Sequence, residues 1–442
     1  MSIRSVDNST VVGVIGNGLA NVGADDGIGS KANRGTSLLK VFSVLSNGST
    51  TPTLGTAGSF ARASSATFHA SPSTTLTASS GNPQSPCKPL ATTNSGVLIS
   101  SALSNDVTRS ESFDNGNWTK TGTCTVTADT QTAPDSNTTA DTIAGTAATD
   151  RVSQLTGDAA ASNAFVFGCW LKCDSSTRSV TLRLRDADGA ETATTSASVT
   201  TTWKYFTVYK LFSGAAVGNT RVEVEVNNTT GYSIFAWGAW HCFVKGAASG
   251  TNFNWDSDLP NYLVTAAAAA AKAADVLKYA GTEITSGLTK QSLLCWYYLP
   301  TYSDGNIWNH HTIVSHAHNT NGVNQAARLS SSSALLDICY GNNAYTATTG
   351  LGTKGSWNQI IITSDFVNNR YQTFVNGSSI HSDTTARTVT TAQYLVLGRE
   401  FDASNNDVVF QSAVGQTELY RGIVTPGQAA GLFNAQKGAY GL

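Results

Sequence analysis

Charged residues are scarce in this chain. They make up 13% of its 442 residues, against about 25% in an ordinary soluble domain. The net charge is only −2, so no basic surface points to nucleic acid as a partner. The sequence also has no apolar run long enough to span a bilayer, so we expect no membrane insertion.

Cysteine motifs and a leader sequence are missing as well. The 7 cysteines contain no Cys-x-x-Cys pair. Cys169 and Cys173 stand on one predicted strand, roughly 13 Å apart at the usual rise, which is too far for a disulfide. We therefore expect free thiols and no cysteine-based zinc site. Met1 to Asp7 lack the basic and apolar regions of a signal peptide, so we expect folding in the cytoplasm where the chain is made.

Small and polar residues fill the chain instead. The sequence has 40 glycines together with long stretches of Thr, Ser and Val. This composition favours many short strands joined by tight turns. Val180 to Arg185 alternates apolar and polar residues in the pattern of a half-buried strand. The predicted fold class is all-β: a β-rich N-terminal arm plus two antiparallel β-sandwiches of the jelly-roll type.

The C-terminal part carries a series of strand and turn signals. Asn376-Gly377, which follows an aromatic and β-branched run, is a strong hairpin signal. Thr425 and Pro426 predict the N-cap and first residue of a closing helix. Further strand and turn segments are Trp357 to Ile361, Tyr371 to Gly377, Leu395 to Gly398 and Gly415 to Arg421. Together, these segments resemble a concanavalin A/laminin-G-like domain, and the resemblance implies a lectin-like module and calcium at a loop edge.

A second resemblance covers about residues 57 to 280. Six segments follow the order of segments that recur in bacteriophage tail and head fibre proteins. They are Ser59 to Phe68, Gly96 to Ile99, Thr108 to Lys120, Ala133 to Ile143, Trp237 to Trp240 and Lys272 to Val276. The chain departs from that pattern at Asp106, where the relatives have Leu after Asn, and at His241-Cys242, which replace an acidic strand end. The resemblance implies that the first sandwich is similar to a carbohydrate-binding module.

These patterns divide the chain into four parts. Residues 1–105 are a virion-attachment arm or small β domain, and residues 106–263 are the carbohydrate-binding-module-like sandwich. Residues 264–280 are an Ala-rich linker, for which both a helical and an extended conformation stay open, and residues 281–442 are the concanavalin A/laminin-G-like sandwich.

No catalytic residues are predicted, and the chain is expected not to be an enzyme. Glu400 and Asp402 only approach the carboxylate pattern of glucanases on this fold, and no Gly-x-Ser-x-Gly elbow is present. His316 and His318 share a strand face and would suit a transition metal with a third ligand, but a polar strand end explains them as well. We therefore predict no metal site and no cofactor, apart from the calcium that the resemblance implies.

Aromatic and amide residues in Gly/Asn-rich loops are the candidate glycan site. Sugars stack on such rings while Asn side chains supply hydrogen bonds. The alternative is that these rings pack inward beneath the loops. Trp170, Trp203, Trp237 and Trp357 lie in strand patterns and are predicted to be core. The candidate glycan-binding residues are Trp308, Tyr302, Tyr345, Asn342, Asn343 and Trp255.

The resemblances imply a structural protein of a phage virion surface, a short fibre or appendage of tail or head that displays glycan-binding sandwiches for host adhesion. Its expected partners are other virion proteins of capsid or tail and host-surface glycans, and we expect a homo-oligomer such as a trimer. It would be made in the host cytoplasm. The alternatives are a capsid decoration protein that binds no sugar, or a polysaccharide depolymerase.

Overall fold

Strands dominate the structure, a computed structural model. It describes residues 38–44, 58–61, 66–71, 74–78, 84–87, 96–99, 103–226, 232–246, 262–272, 276–280, 284, 289–299, 312–318, 322–329, 335–341, 345–389, 394–398 and 412–442. The predicted all-β class with antiparallel sandwiches is confirmed.

The first sandwich consists of two five-stranded antiparallel sheets. Its strands are β8 (Thr119–Thr121), β9 (Thr125–Gln131), β10 (Ala140–Ala144), β11 (Arg151–Ala159), β12 (Asn163–Cys173), β13 (Arg178–Arg185), β14 (Thr192–Val199), β15 (Lys204–Leu211), β16 (Asn219–Glu225) and β17 (Ser233–Gly246). The sheet orders are β15-β12-β17-β10-β9 and β14-β13-β16-β11-β8. Because side chains alternate along a strand, Leu182 and Leu184 of β13 join the core between the sheets while Arg183 faces outward.

A bulge in β17 changes which side chains point inward. Gly168 pairs with Trp240 and Trp170 pairs with Trp237, so β17 has one residue more than β12 between these pairs. Gly238 supplies the positive φ of 67° at this bulge. As a result Trp237 and Trp240 both lie on the outer face, and His241 turns toward the interior.

The N-terminal part forms seven strands within the described residues. They are β1 (Leu39–Val44), β2 (Gly58–Ala61), β3 (Ala66–Ser71), β4 (Thr74–Ala78), β5 (Gln84–Cys87), β6 (Gly96–Ile99) and β7 (Leu103–Asn105). β3 and β4 form a hairpin of their own. β7 pairs with β18 (Ala270–Lys272), so the end of the Ala-rich linker is extended here.

The second sandwich has an eight-stranded and a seven-stranded sheet. Its own strands are β19 (Val276–Tyr279), β20 (Lys290–Leu299), β21 (Thr312–His318), β22 (Gly322–Leu329), β23 (Leu336–Cys339), β24 (Tyr345–Thr348), β25 (Ser356–Asp365), β26 (Arg370–Val375), β27 (Ser378–Asp383), β28 (Tyr394–Leu397) and β29 (Ser412–Arg421). β1 and β6 pair with β29, β5 pairs with β6, and β2 pairs with β19. Strands of the N-terminal part therefore belong to the sheets of the C-terminal sandwich.

Two local predictions in this sandwich are confirmed. Asn376 and Gly377 have φ values of 50° and 78° and join β26 to β27 in a tight hairpin. Thr425 caps the helix α1 (Pro426–Gln436), and its side chain and that of Gln428 form a reciprocal capping box. A 3₁₀ turn (Lys437–Tyr440) follows and places Tyr440 in a stack with Trp296, ring centroids 4.0 Å apart.

Candidate functional site

Only Tyr345 of the six predicted glycan-binding residues lies within the described residues. It begins β24, and the guanidinium carbon of Arg328 lies 3.5 Å from the centre of its ring. Arg328 in turn approaches Asp337, Nε to Oδ2 3.3 Å. A cation thus covers one face of this ring. The other five lie outside the described residues: Trp255, Tyr302, Trp308, Asn342 and Asn343.

The histidine cluster noted in the sequence contributes one described side chain, His316. It is buried, and its Nε2 lies 2.9 Å from the carbonyl oxygen of Ile284. Burial lowers the pKa of His316 to about 4, so the ring is neutral. The positions of His310 and His311 and the side chain of His318 lie outside the described residues. The calcium implied by the laminin-G resemblance stays a prediction.

The outer face of the sheet β15-β12-β17-β10-β9 carries an aromatic cluster, here called the aromatic face. It arises because alternate residues of β12 and β15 point outward and because the bulge in β17 brings Trp237 and Trp240 to the same face. Tyr262 and Leu263 cover part of it, and the rings of Trp237 and Tyr262 lie 5.0 Å apart. Its members are Trp170, Trp203, Tyr205, Tyr209, Trp237 and Trp240.

Trp203 and Tyr209 are the partly exposed rings of the aromatic face. Among the tryptophans of the described residues, Trp203 is the one that is not buried. Its indole Nε1 donates to the carbonyl oxygen of Thr132 at 2.9 Å, which fixes the ring. The Nζ of Lys172 lies 5.9 Å from the Trp203 ring centre and 5.8 Å from that of Phe235. The structure thus corrects the prediction that Trp203 is a core residue; Trp170, Trp237 and Trp357 are buried as predicted.

The opposite sheet presents a charged outer face. Arg183 contacts Glu223 and Glu225, each at 2.9 Å, and Arg185 contacts Glu223 at 2.8 Å. Arg151 is a further neighbour of Glu223 at 3.6 Å. Glu223 is fully buried, so these cations compensate a carboxylate that has lost its water. This face stabilises the sheet with its charged groups already paired.

Two carboxyl groups of the first sandwich, Glu111 and Asp141, are partly removed from water. Burial raises the pKa of Glu111 to about 7, opposed by a hydrogen bond from the Tyr262 hydroxyl at 2.9 Å. Burial likewise raises the pKa of Asp141 to about 6, although Asp141 accepts from the backbone amides of Asp129 and Asp114 at 3.0 and 3.1 Å. Carboxyls of this kind can carry a proton near neutral pH.

One group in the described part of the chain has the composition of a metal site: Asp106, Asp158 and His241. Burial and the neighbouring Asp106 raise the pKa of Asp158, whereas burial lowers the pKa of His241. Sequence reasoning missed this group because its members lie far apart along the chain.

No protein-family model matches the chain, and no curated protein matches it. Solved structures resemble parts of it at low identity. A sialidase from Trypanosoma rangeli is 11% identical over 37% of this chain and 26% of that one, with a TM-score of 0.29. Domain 4 of an arabinanase from Geobacillus stearothermophilus, in complex with arabinotriose, is 15% identical over 36% and 72%, with a TM-score of 0.27.

The enzymatically active domain of a bacteriophage CBA120 tailspike is 18% identical over 32% of this chain and 21% of that one, with a TM-score of 0.26. The chain thus spans about a quarter of the sialidase and about a fifth of the tailspike domain. Alignments with these TM-scores transfer neither residues nor substrates to this chain.

The comparisons correct one prediction. The expectation that the chain is not an enzyme is wrong on these findings, because the similar structures are a sialidase, an arabinanase and an enzymatically active tailspike domain. The exclusion of catalysis is therefore withdrawn. Within the part of the chain that the structure describes, no helix has the length and apolar character to cross a membrane.

Proposed function

We propose that this chain is a surface protein of a bacteriophage virion that binds host-surface glycans through the aromatic face of its first sandwich. The observation that carries the proposal is Trp203, a partly exposed ring that a hydrogen bond fixes at the rim of a largely buried aromatic cluster. The resemblance of residues 57–280 to phage fibre proteins supports the virion role.

The geometry around Trp203 suits a sugar ring. An indole face offers a flat apolar surface for the C–H side of a pyranose, and a fixed ring loses little entropy on binding. Lys172 adds a cation beside the two rings of Trp203 and Phe235. That cation favours a glycan with carboxylate or phosphate groups, which bacterial surface polysaccharides often contain.

A single shallow site of this kind binds weakly, with a dissociation constant of about 1 mM, or roughly −4 kcal/mol. Adhesion would come from many copies on one particle, since linked sites raise the effective concentration. We therefore propose a homo-oligomer, such as a trimer, bound to capsid or tail proteins. Light scattering of the purified chain tests the oligomeric state.

The binding test uses the full chain on an array of bacterial surface polysaccharides. Trp203→Ala is expected to lower binding at least tenfold, about 1.4 kcal/mol, with an unchanged fold by circular dichroism. Phe433→Ala is the matched control, because this half-buried ring also has a lysine beside it, Lys437 Nζ 5.7 Å from the ring centre, but belongs to the C-terminal helix. Equal binding by the Trp203 variant and the wild-type chain contradicts the aromatic face as the site.

Measurements on the same samples distinguish a glycan-binding protein from a depolymerase and from a decoration protein. Reducing ends that accumulate after incubation with a bound polysaccharide would identify a depolymerase. A wild-type chain that binds no polysaccharide of the host and releases none would favour a decoration protein that stabilises the capsid. Localisation on the virion is tested by immunogold labelling of intact particles.

A further inference from the structure

Three separate elements meet at one point of the first sandwich. Asp106 follows β7, Asp158 lies near the end of β11, and His241 lies in β17. His241 Nδ1 is 3.6 Å from Asp106 Oδ2 and 3.6 Å from Asp158 Oδ2. One ligand atom from each residue lies within 4.8 Å of the other two. Three atoms with free electron pairs therefore converge.

The hydrogen bonds of neighbouring threonines accommodate an imidazole that is protonated on Nε2. Thr156 Oγ1 donates to the Thr220 carbonyl oxygen at 3.2 Å and also lies 2.5 Å from Thr220 Oγ1, where either hydroxyl can be the donor. When the Thr156 proton stays on the carbonyl oxygen, the Thr220 hydroxyl donates to Thr156 Oγ1, and Thr220 Oγ1 accepts from His241 Nε2, 3.1 Å away. The imidazole in this arrangement has a lone pair on Nδ1, the atom nearest to the two carboxylates.

Ser104 Oγ donates to Asp106 Oδ2, whereas the other two atoms have no hydrogen-bond partner among the described residues. The His241 side chain is fully buried, and among the described residues neither His241 Nδ1 nor Asp158 Oδ2 has a hydrogen-bond partner. A separation of 3.6 Å is also too long for a hydrogen bond between them. A buried nitrogen without a hydrogen-bond partner lowers the stability of the folded state, and a bound cation would remove that penalty.

We propose that Asp106, Asp158 and His241 bind a divalent transition-metal ion, with Zn²⁺ the best fit. Ligand atoms of a tetrahedral Zn²⁺ site at the usual bond lengths lie about 3.4 Å apart, which agrees with the two separations of 3.6 Å. Adjacent ligands of octahedral Mg²⁺ lie closer, about 3.0 Å. Ca²⁺ prefers six to eight oxygen ligands, which an imidazole does not supply.

The ligands are held in place before metal binds. Asn105 Oδ1 accepts from the amide of His241 at 3.1 Å, and the amide of Asp106 donates to the His241 carbonyl oxygen at 2.9 Å. The Phe165 ring stacks on the imidazole, with centroids 5.0 Å apart. Ser104 Oγ donates to Asp106 Oδ2 at 3.1 Å. Such outer contacts orient metal ligands and strengthen binding.

The site lies close to the surface of the first sandwich. Asp158 Oδ2 itself is buried, whereas the Asp158 side chain as a whole is 35% exposed. Asp106 and His241 stand where the chain departs from the fibre-protein segments it resembles. A bound ion would link the strand that leads into the first sandwich to the strand that ends it, and so act as a structural clamp.

The test uses the full chain, stripped with a chelator and titrated with zinc chloride. At a hundredfold excess over the dissociation constant, the unfolding temperature of the first sandwich should rise by roughly 5–10 °C. Cobalt chloride should give the visible absorption of a tetrahedral Co²⁺ site at one ion per chain. Asp158→Asn should abolish both effects, and Asp174→Asn, the same change at an exposed aspartate of this sandwich, should keep both.

Asp158→Asn is expected to fold, because Asp158 is partly exposed and lies beside another carboxylate. Its unfolding temperature without metal should equal or exceed that of the wild-type chain. A wild-type chain whose unfolding temperature does not respond to zinc overturns the proposal. So does a zinc response of equal size in Asp158→Asn, since the ion would then bind elsewhere, for example at the histidines between residues 310 and 318.

Discussion

At the scale of single residues, two carboxyl groups of the first sandwich have pKa values shifted in opposite directions, one by hydrogen bonds and one by burial. Asp150 accepts hydrogen bonds from Thr123 Oγ1, Thr146 N and Ala147 N at 2.5, 2.7 and 2.9 Å, which lower its pKa to about 2. Its contribution to stability is present above the unfolded value near 3.8 and is lost as the pH falls through 2. Glu111, with one hydrogen bond, has its pKa raised to about 7 instead.

Glu111→Gln should therefore change the pH dependence of stability. In the folded chain Glu111 holds its proton up to about pH 7, against 4.5 for an unperturbed group. The folded state thus binds more protons in that window, and stability falls as the pH rises from 4.5 to 7. The uncharged Gln should remove this loss and stabilise the chain by about 2 kcal/mol at pH 8. Urea unfolding at pH 4.5 and pH 8 measures it.

The matched control is Asp188→Asn, an exposed aspartate of the same sandwich. It should follow the pH profile of the wild-type chain. A Glu111→Gln profile that falls between pH 4.5 and 8 as steeply as the wild-type profile would show that Glu111 ionises normally in the folded state.

At the scale of elements, the bulge in β17 decides the faces of the first sandwich. If the same residues formed a strand without a bulge, strict alternation from Trp237 would place His241 on the outer side as well. With the bulge, Trp237 and Trp240 build the aromatic face and His241 reaches Asp106 and Asp158. A single backbone irregularity therefore connects both candidate sites.

Gly238→Ala should strain this bulge. The position has a φ of +67°, and a Cβ there would lie 3.1 Å from Trp170 Cδ1. We expect a loss of about 1–3 kcal/mol, from the positive φ and the close contact together. Chemical denaturation measures the loss. Gly116→Ala is the control, because a Cβ at Gly116 meets nothing within 4 Å; equal effects of the two changes would contradict the role of the bulge.

At the scale of the whole molecule, the N-terminal strands complete the C-terminal sandwich. β1 pairs with β29, and Lys40 Nζ lies 2.5 Å from Oε1 of Glu418, whose side chain is fully buried. Ser43 Oγ and Gln416 Nε2 also donate to that oxygen at 3.4 and 2.7 Å. Within the predicted virion-attachment arm or small β domain of residues 1–105, β1 therefore forms its ladder with a strand of the C-terminal sandwich of the same chain.

Deleting residues 1–55 should therefore destabilise the C-terminal sandwich. The deletion removes Lys40 and leaves Glu418 buried without its cation, at a cost of about 2–4 kcal/mol. Thermal unfolding followed by tryptophan fluorescence measures this, since Trp296 and Trp357 lie in that sandwich. Glu418→Gln in the shortened chain should recover part of the lost stability, because it removes the buried charge.

Deletion of residues 1–37 is the control, because it keeps β1. It should unfold at a higher temperature than the chain that lacks residues 1–55, because it keeps the contact between Lys40 and Glu418. If both deletions leave the C-terminal sandwich unchanged, the contact between Lys40 and Glu418 contributes nothing to its stability.

The sequence by itself determined the features that depend on neighbouring residues. Alternation of apolar and polar residues determined strands such as Val180 to Arg185. The positive φ values that Asn and Gly tolerate determined the Asn376-Gly377 hairpin. Thr425 and Pro426 fixed the start of α1. Each of these depends on local backbone preference, which a short window of sequence contains.

Only the tertiary structure decided which faces are exposed and which distant residues meet. Alternation placed Trp203 and Tyr205 on one side of a strand but could not say that Trp203 stays accessible, since that depends on what covers the sheet. The meeting of Asp106, Asp158 and His241 and the pairing of β1 with β29 join residues far apart along the chain. Register, bulges and strand pairing set these contacts, and they arise from packing of the whole molecule rather than from any local pattern.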